Sequence, residues 1–129
     1  MNVPTKPEGY SSVSPYLVVE SAQRLIDFLK QAFGAIELRR FATPDGSIMH
    51  AEMRIQDSVI MMADATHQWP AFASWLHVYV PDVDATYQQA LDAGGVSIQK
   101  PQQREGEPDR RGGVKDPAGN SWWIATQLK

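Results

Sequence analysis

Hydrophobic and polar residues follow the same order twice along this chain. Residues 14–34 and 75–95 align without a gap, and the alternating apolar runs at 16–19 and 77–80 each predict a half-buried strand. Apolar residues at helical spacing follow each run: Ala22, Leu25, Ile26, Leu29 and Phe33, then Val83, Tyr87, Ala90, Leu91 and Gly94. Each segment therefore predicts a strand and a helix, and we expect Gly34 and Gly95 to end the helices in left-handed backbone.

Three further strands are predicted after each helix. They cover residues 36–41, 47–55 and 58–63 in the first half and 96–99, 111–115 and 120–127 in the second. Turn sequences separate several of them, namely TPDG at 43–46, QD at 56–57 and DPAG at 116–119. Both halves thus predict a strand–helix–strand–strand–strand module, which makes an α+β fold. The polar connection 102–110 is expected to be a mobile loop at the mouth of a site.

The length fits one domain, residues 1–129, with internal divisions. We expect a flexible lead-in at 1–11, a first module at 12–64, a linker at 65–73 and a second module at 74–129. A chain of 129 residues buries roughly two-thirds of its unfolded surface, so its core can hold the fold without a covalent staple.

Composition excludes several classes of function. The chain has no cysteine, which excludes disulfides, thiolate metal sites and thiol catalysis. The net charge is -3, and the interspersed charges form no basic stripe of the kind that binds nucleic acid. Neither a signal peptide nor an apolar run of roughly 20 residues is present, so we expect a soluble cytoplasmic protein with no membrane partner.

Four segments, in a fixed order within two tandem βαβββ modules, resemble the vicinal oxygen chelate superfamily, in its glyoxalase and bleomycin-resistance-like branch. They are SPYLVVESAQRLIDFLKQAFGA, HAEMRIQDSVIMMAD, LHVYVPDVDATYQQALDAGG and VKDPAGNSWWIATQ. The resemblance implies curled mixed sheets around a ligand cavity, and a homodimer. The enzymes of the superfamily, such as glyoxalase I and the extradiol dioxygenases, hold a divalent metal on the concave sheet. The resemblance therefore raises the question of which residues occupy the metal-ligand positions here.

The positions that the resemblance assigns to metal ligands hold unsuitable residues. On the glyoxalase I pattern they fall at Ser14, Met61, Trp75 and Trp123. These side chains together cannot make a divalent-metal site, which needs carboxylate or imidazole groups. We therefore expect neither the usual metal nor any other cofactor, and no metal-dependent glyoxalase or dioxygenase mechanism.

Strand alternation predicts an aromatic ligand site. It places Tyr16 and Val18 on one face with Ser14, and His77 and Tyr79 on one face with Trp75. An aromatic lining suits a flat or amphipathic small molecule, although the same residues could simply be core. The candidate ligand-binding residues are Tyr16, His50, Glu52, Arg54, Met61, Trp75, His77, Tyr79 and Trp123.

A polar set on one predicted strand has three interpretations. His50, Glu52 and Arg54 alternate with an apolar set (Met49, Ala51, Met53 and Ile55) that we expect to face the helices. Together with His77, the first two could bind one divalent metal ion. They could instead form an acid-base group in which Arg54 pairs with Glu52 and holds an anionic ligand. Third, Glu52 and Arg54 could form an ion pair on the strand face, while His50 fills a polar gap.

Other charged and aromatic residues have weaker assignments. His67 is expected to be solvated in the linker, and Trp69 to close the joint between modules. Arg110, Arg111 and Lys115 could meet an acidic ligand at the cavity mouth or could be charges of an edge strand.

Three functions follow from these observations. The first is a dimeric protein that binds an organic small molecule without metal, for instance to sequester a toxin or antibiotic. The second is a lyase, isomerase or dioxygenase-type enzyme that uses His50, Glu52 and His77. The third is a structural or regulatory module whose cavity is filled by its own side chains.

Overall fold

The computed structural model describes residues 3–129, so residues 1 and 2 of the expected lead-in lie outside the described residues. The elements in chain order are β1 (Tyr16–Val19), α1 (Ala22–Phe33), β2 (Ile36–Ala42), β3 (Ile48–Ile55), β4 (Ser58–Asp64), β5 (Trp75–Tyr79), α2 (Val83–Asp92), β6 (Val96–Gln103), β7 (Asp109–Lys115) and β8 (Ser121–Gln127). The predicted α+β fold with two βαβββ modules is confirmed.

Each module forms its own four-stranded mixed sheet. The strand orders are β1-β4-β3-β2 and β5-β8-β7-β6, with the first pair of each sheet parallel and the others antiparallel. The helices α1 and α2 contact each other and the sheets, and one continuous core joins both modules. Within the part of the chain that the structure describes, neither helix is long and apolar enough to cross a membrane.

The ends of the helices show where the two modules differ. Ser21 caps α1 by accepting the backbone N–H of Arg24, and Gly34 ends it in the left-handed region at a φ of 67°. The same conformation was expected at Gly95 but occurs one residue earlier, at Gly94, with a φ of 103°. Gly95 is required for space instead, because a Cβ there would lie 2.4 Å from Cγ1 of Val114.

The predicted long loop between β6 and β7 is partly strand. Gln102 pairs with Arg111 and Gln103 with Arg110, which shortens the connection to residues 104–108. Pro101 lies inside β6, where it is tolerated because β6 is at the edge of its sheet. Since β7 lies between β6 and β8, the interpretation of Arg110, Arg111 and Lys115 as edge-strand charges is wrong.

A β-bulge changes one position of β3. Ala51, Met53 and Ile55 are buried as predicted, but Met49 is 61% exposed. Phe41 pairs with His50 while the next residue, Ala42, pairs with Ile48, so Met49 has no partner on β2. The extra residue turns Met49 away from the helices, and Ile48 is buried in its place.

Candidate functional site

The predicted site residues lie on the two sheet faces that point away from the helices. We call these face A, on the sheet of β1–β4, and face B, on the sheet of β5–β8. In the strand register Tyr16 pairs with Met61, which also pairs with Glu52, whereas His77 pairs with Trp123. Face A therefore brings together Tyr16, His50, Glu52, Arg54 and Met61, and face B brings together Trp75, His77, Tyr79 and Trp123.

A chain of hydrogen bonds crosses face A. The hydroxyl of Tyr16 lies 2.8 Å from Nδ1 of His50, and Nε2 of His50 lies 2.8 Å from Oε2 of Glu52. The hydroxyl of Tyr10 donates to the other oxygen of Glu52. Glu52 itself is buried, with 4% of its surface exposed, so its carboxylate depends on these partners.

The charge of Glu52 sets the direction of this chain. Burial alone raises the pKa of Glu52, but the hydrogen bonds from Tyr10 and His50 and the charge of Arg39 outweigh it, and the net pKa is lowered. An ionised carboxylate only accepts hydrogen bonds, so Nε2 of His50 donates to Glu52, and in the neutral imidazole Nδ1 accepts from Tyr16. The result is a hydroxyl–imidazole–carboxylate relay. Burial, followed by the charge of Glu52, raises the pKa of Tyr16.

The predicted pairing of Arg54 with Glu52 is wrong. Nη1 of Arg54 donates to the carbonyl of Gly9 at 2.8 Å, and Nε of Arg39 instead lies 3.7 Å from Oε1 of Glu52. The guanidinium of Arg39 also lies 5.6 Å from the ring centre of Tyr10. Gly9 and Tyr10, in the expected lead-in, thus contact residues of β2 and β3.

Two tryptophan rings dominate face B. Trp75 is 76% exposed, and its ring centre lies 5.3 Å from that of Trp123. The six-membered ring of Trp123 lies over Gly113, where a Cβ would be 2.6 Å from ring carbon Cζ3. The preceding residue, Trp122, points the other way into the core, and its Nε1 donates to Asp116 at 2.8 Å. Alternation along β8 thus gives one tryptophan to the site and one to the core.

A buried carboxylate organises the polar part of face B. Oδ2 of Asp109, a residue that is 5% exposed, accepts from Tyr79 at 2.7 Å and from Nη2 of Arg111 at 2.9 Å. Nε of Arg111 donates to Nε2 of His77 at 3.1 Å. Burial and the Arg111 charge lower the pKa of His77, against an opposing effect of Asp109. The sequence analysis did not identify Asp109, because it placed this residue in a loop.

A cleft of about 820 Å³ lies between the two sheets. Its lining includes Tyr16, Trp75, His77 and Tyr79, and the turn between β3 and β4. A second pocket of about 490 Å³ lies against face A, lined in part by Tyr16, Met49 and Trp69. The larger volume is within the usual range for small-molecule sites.

The linker residues lie at the surface. His67 is exposed, in agreement with its predicted solvation. Trp69 is 65% exposed and lines the pocket on face A, so its expected role in closing the joint between modules is wrong. Phe33 of α1 occupies that joint instead, with its ring centre 4.9 Å from that of Trp122.

The residues present do not fit a divalent metal. Among residues 3–129, no three histidine, aspartate or glutamate side chains form a group that could hold one. His50 and Glu52 bond to each other on face A, while His77 bonds to Arg111 on face B. The strand register pairs Met61 with Tyr16 and Trp123 with His77. These four side chains offer one imidazole and no carboxylate, which is too little for a divalent metal.

Sequence comparisons agree with this architecture. A family model described as the Glyoxalase/Bleomycin resistance protein/Dioxygenase superfamily matches residues 11–124. An uncharacterised protein of Mycobacterium bovis is 37% identical over 129 residues, covering 92% of this chain and 84% of its own. An uncharacterised protein of Mycobacterium tuberculosis has the same identity and covers 75% of its own length.

Solved structures share the fold. TioX from Micromonospora sp. superposes with a TM-score of 0.72 at 24% identity, covering 90% of this chain and 95% of its own. The fosfomycin resistance protein FosX from Mesorhizobium loti gives a TM-score of 0.65 at 15% identity, covering 90% and 91%. Together with the family match over residues 11–124, the tandem modules show that this chain belongs to the glyoxalase/bleomycin resistance protein/dioxygenase superfamily.

Proposed function

We propose that this protein binds an organic small molecule beside face B and needs no divalent metal to do so. The observation that supports this proposal is the exposed Trp75 ring at a cleft of about 820 Å³. An indole left 76% exposed loses the benefit of burial in the unliganded chain, so a flat ligand that covers it gains both buried area and ring contact.

Sequestration of a toxic or antibiotic compound fits these groups. Resistance by binding requires affinity and no catalytic group, and face B supplies stacking surfaces beside an oriented polar cluster. Each aromatic pair contributes about 0.5–1.5 kcal/mol beyond burial. A fosfomycin resistance protein among the structural neighbours shows that the fold occurs in a resistance protein.

We also propose that two copies of the chain form a homodimer. Large apolar side chains stay exposed on and beside the two faces, including Phe41 and Phe72 at 51% and 53%. Grouped exposed aromatics of this kind mark interaction surfaces, and a second copy would cover them and narrow the cleft. Sedimentation equilibrium should give twice the chain mass of 14.4 kDa. A monomer at micromolar concentration would contradict the dimer.

Two measurements test the binding proposal. Elemental analysis after dialysis against zinc, nickel, manganese and iron(II) should find no stoichiometric metal. One full equivalent of metal in the unmodified protein, lost in the double variant His50→Ala/His77→Ala, would overturn the metal-free proposal.

Fluorescence quenching with a panel of aromatic compounds should then detect ligands. Trp75→Ala should weaken their binding by about three- to tenfold. Trp69→Ala, the matched control at an exposed tryptophan outside the larger cleft, should leave the affinity unchanged.

An acid-base enzyme is the second candidate. The relay from the Tyr16 hydroxyl through His50 to buried Glu52 favours it, because this arrangement can move a proton at the phenolic oxygen. Tyr16 also lines the larger cleft. The test measures turnover of any compound found to bind. If the protein is an enzyme, His50→Ala abolishes turnover and leaves Kd within about twofold. Absence of turnover in the unmodified protein contradicts this candidate.

A further inference from the structure

The contact with Arg111 fixes the protonation of the His77 ring. A guanidinium carries only donors and stays charged at every relevant pH. Since Nε of Arg111 lies 3.1 Å from Nε2 of His77, that ring nitrogen must offer its lone pair. A proton on Nε2 would oppose two donors to each other. The ring is therefore neutral, and its proton is on Nδ1.

Buried Asp109 keeps Arg111 in this position. Its Oδ2 accepts from Nη2 of Arg111 at 2.9 Å and from the Tyr79 hydroxyl at 2.7 Å. Because this carboxylate is 5% exposed, water cannot replace Arg111 and Tyr79 as its hydrogen-bond partners, and it therefore holds both side chains in place. The orientation of the guanidinium, and with it the tautomer of His77, is thus set before any ligand arrives.

The remaining nitrogen of His77 is available to a ligand. Among the described residues Arg111 is the hydrogen-bond partner of the ring, which leaves the Nδ1–H without one. His77 lines the larger cleft together with Trp75 and Tyr79, its neighbours on the same face of β5. The Tyr79 ring packs edge-on against the imidazole, with the ring centres 4.8 Å apart. A neutral donor thus lies beside an exposed aromatic surface.

We propose that His77 Nδ1–H selects planar aromatic ligands with a carbonyl oxygen, such as quinones and aryl ketones. The ring system stacks on Trp75 while the carbonyl accepts the Nδ1 proton. A ligand without an acceptor at that point leaves the donor unpaired on binding, which lowers its affinity by roughly tenfold. This inference rests on the proposed small-molecule site and names the ligand class that the site prefers.

Two probes with the same fused-ring carbon skeleton test it. 2-Methyl-1,4-naphthoquinone and 2-methylnaphthalene share one ring system and differ in the carbonyl groups, and the chain has no cysteine to form quinone adducts. Equilibrium dialysis should show that the quinone binds about tenfold more tightly. His77→Phe keeps an aromatic ring but no donor, so it should reduce this preference to within about twofold and leave hydrocarbon binding intact. If His77→Phe removed the preference by disturbing the whole cleft, it would also weaken the binding of the hydrocarbon.

A ligand-free readout tests the tautomer directly. Long-range proton–nitrogen NMR correlations of the imidazole rings should show His77 protonated on Nδ1 in the unmodified protein. Arg111→Met removes the donor to Nε2 and should give a mixture of tautomers, while His67 remains a solvated reference. Protonation of Nε2 in the unmodified protein overturns the inference, as does a quinone preference that survives in His77→Phe. Equal binding of both probes overturns the inference alone, whereas binding of neither overturns the proposed aromatic site as well.

Discussion

Single residues on the two faces have tightly defined surroundings. Glu52 is the buried acid of face A, and its three stabilising partners, Tyr10, Arg39 and His50, come from three separate parts of the chain. Gly113 has the corresponding importance on face B, because its missing side chain makes room for the Trp123 ring. The consequences of changing each can be stated separately.

Glu52 should make stability depend on pH. Its pKa is lowered on folding, so the ionised group stabilises the folded state above the unfolded pKa of about 4.5, and this is lost as pH falls through the folded pKa. Glu52→Gln should lower the free energy of unfolding by about 1–2 kcal/mol at pH 7 and flatten its decline below about pH 4.5. Urea titrations at pH 7, 4.5 and 3 measure both effects. The exposed Glu105→Gln is the control, and a Glu52→Gln curve parallel to the unmodified protein would refute the assignment.

Adding one methyl group at Gly113 should displace the Trp123 ring. Its Cβ would lie 2.6 Å from the ring, so Gly113→Ala should cost about 1–3 kcal/mol and alter the near-ultraviolet circular dichroism of the tryptophans. The same change in a Trp123→Ala background meets no ring and should be nearly neutral. Equal costs in both backgrounds would show that the ring is not the obstacle.

At the scale of elements, the turn between β7 and β8 joins the second module together. Oδ1 of Asp116 accepts the backbone N–H groups of Ala118 and Asn120, and Oδ2 accepts from Asn120 Nδ2 and from Trp122 Nε1. Oδ1 of Asn120 accepts in turn from the backbone of Ser74, directly before β5. One short turn thus fixes the ends of two strands and the largest side chain of the core.

Loss of this turn should be costly. Asp116→Ala leaves several buried donors without a partner and should lower the free energy of unfolding by about 3–4 kcal/mol. Asp57→Ala, at an exposed aspartate in the turn between β3 and β4, should change it by less than about 0.5 kcal/mol. Chemical denaturation of the two variants provides the comparison. Similar values for both would mean that Asp116 has no special structural importance.

Local pattern was sufficient for the elements and insufficient for several contacts. Alternation placed Trp75 and His77 correctly because side-chain direction in a strand depends only on neighbouring positions. It failed at Met49, since a bulge arises from the pairing of two strands and is not visible in one of them. Tyr10 and Arg39 were missed as partners of Glu52 for a similar reason, because these contacts join residues far apart in the sequence.

At the scale of the whole molecule, the two modules share one core. Phe33 of the first module packs on Trp122 of the second, and Phe28 lies close enough to Gly95 that a Cβ there would be 3.2 Å from its ring. The contact between α1 and α2 continues this core from one sheet to the other. Neither module buries its helix fully alone, so we expect them to depend on each other for stability.

The modules should therefore unfold together. Thermal denaturation followed by far-ultraviolet circular dichroism and by tryptophan fluorescence should give coincident transitions. The two signals weigh the modules differently, since all four tryptophans lie at position 69 or later. Phe33→Ala should lower the midpoint of both signals equally, because its cavity lies in the shared core. A fluorescence transition that separates from the backbone signal would indicate independent modules.

The neighbouring tryptophans of β8 have a consequence for how this strand finds its place during folding. A shift by one residue would exchange Trp122 and Trp123 between core and site, and an indole would still fill the core. Apolar character therefore discriminates poorly between the two alignments here. The bond from Trp122 Nε1 to Asp116 and the space above Gly113 both fit the observed alignment, so a polar contact and local shape, in addition to hydrophobicity, select which indole lies on face B.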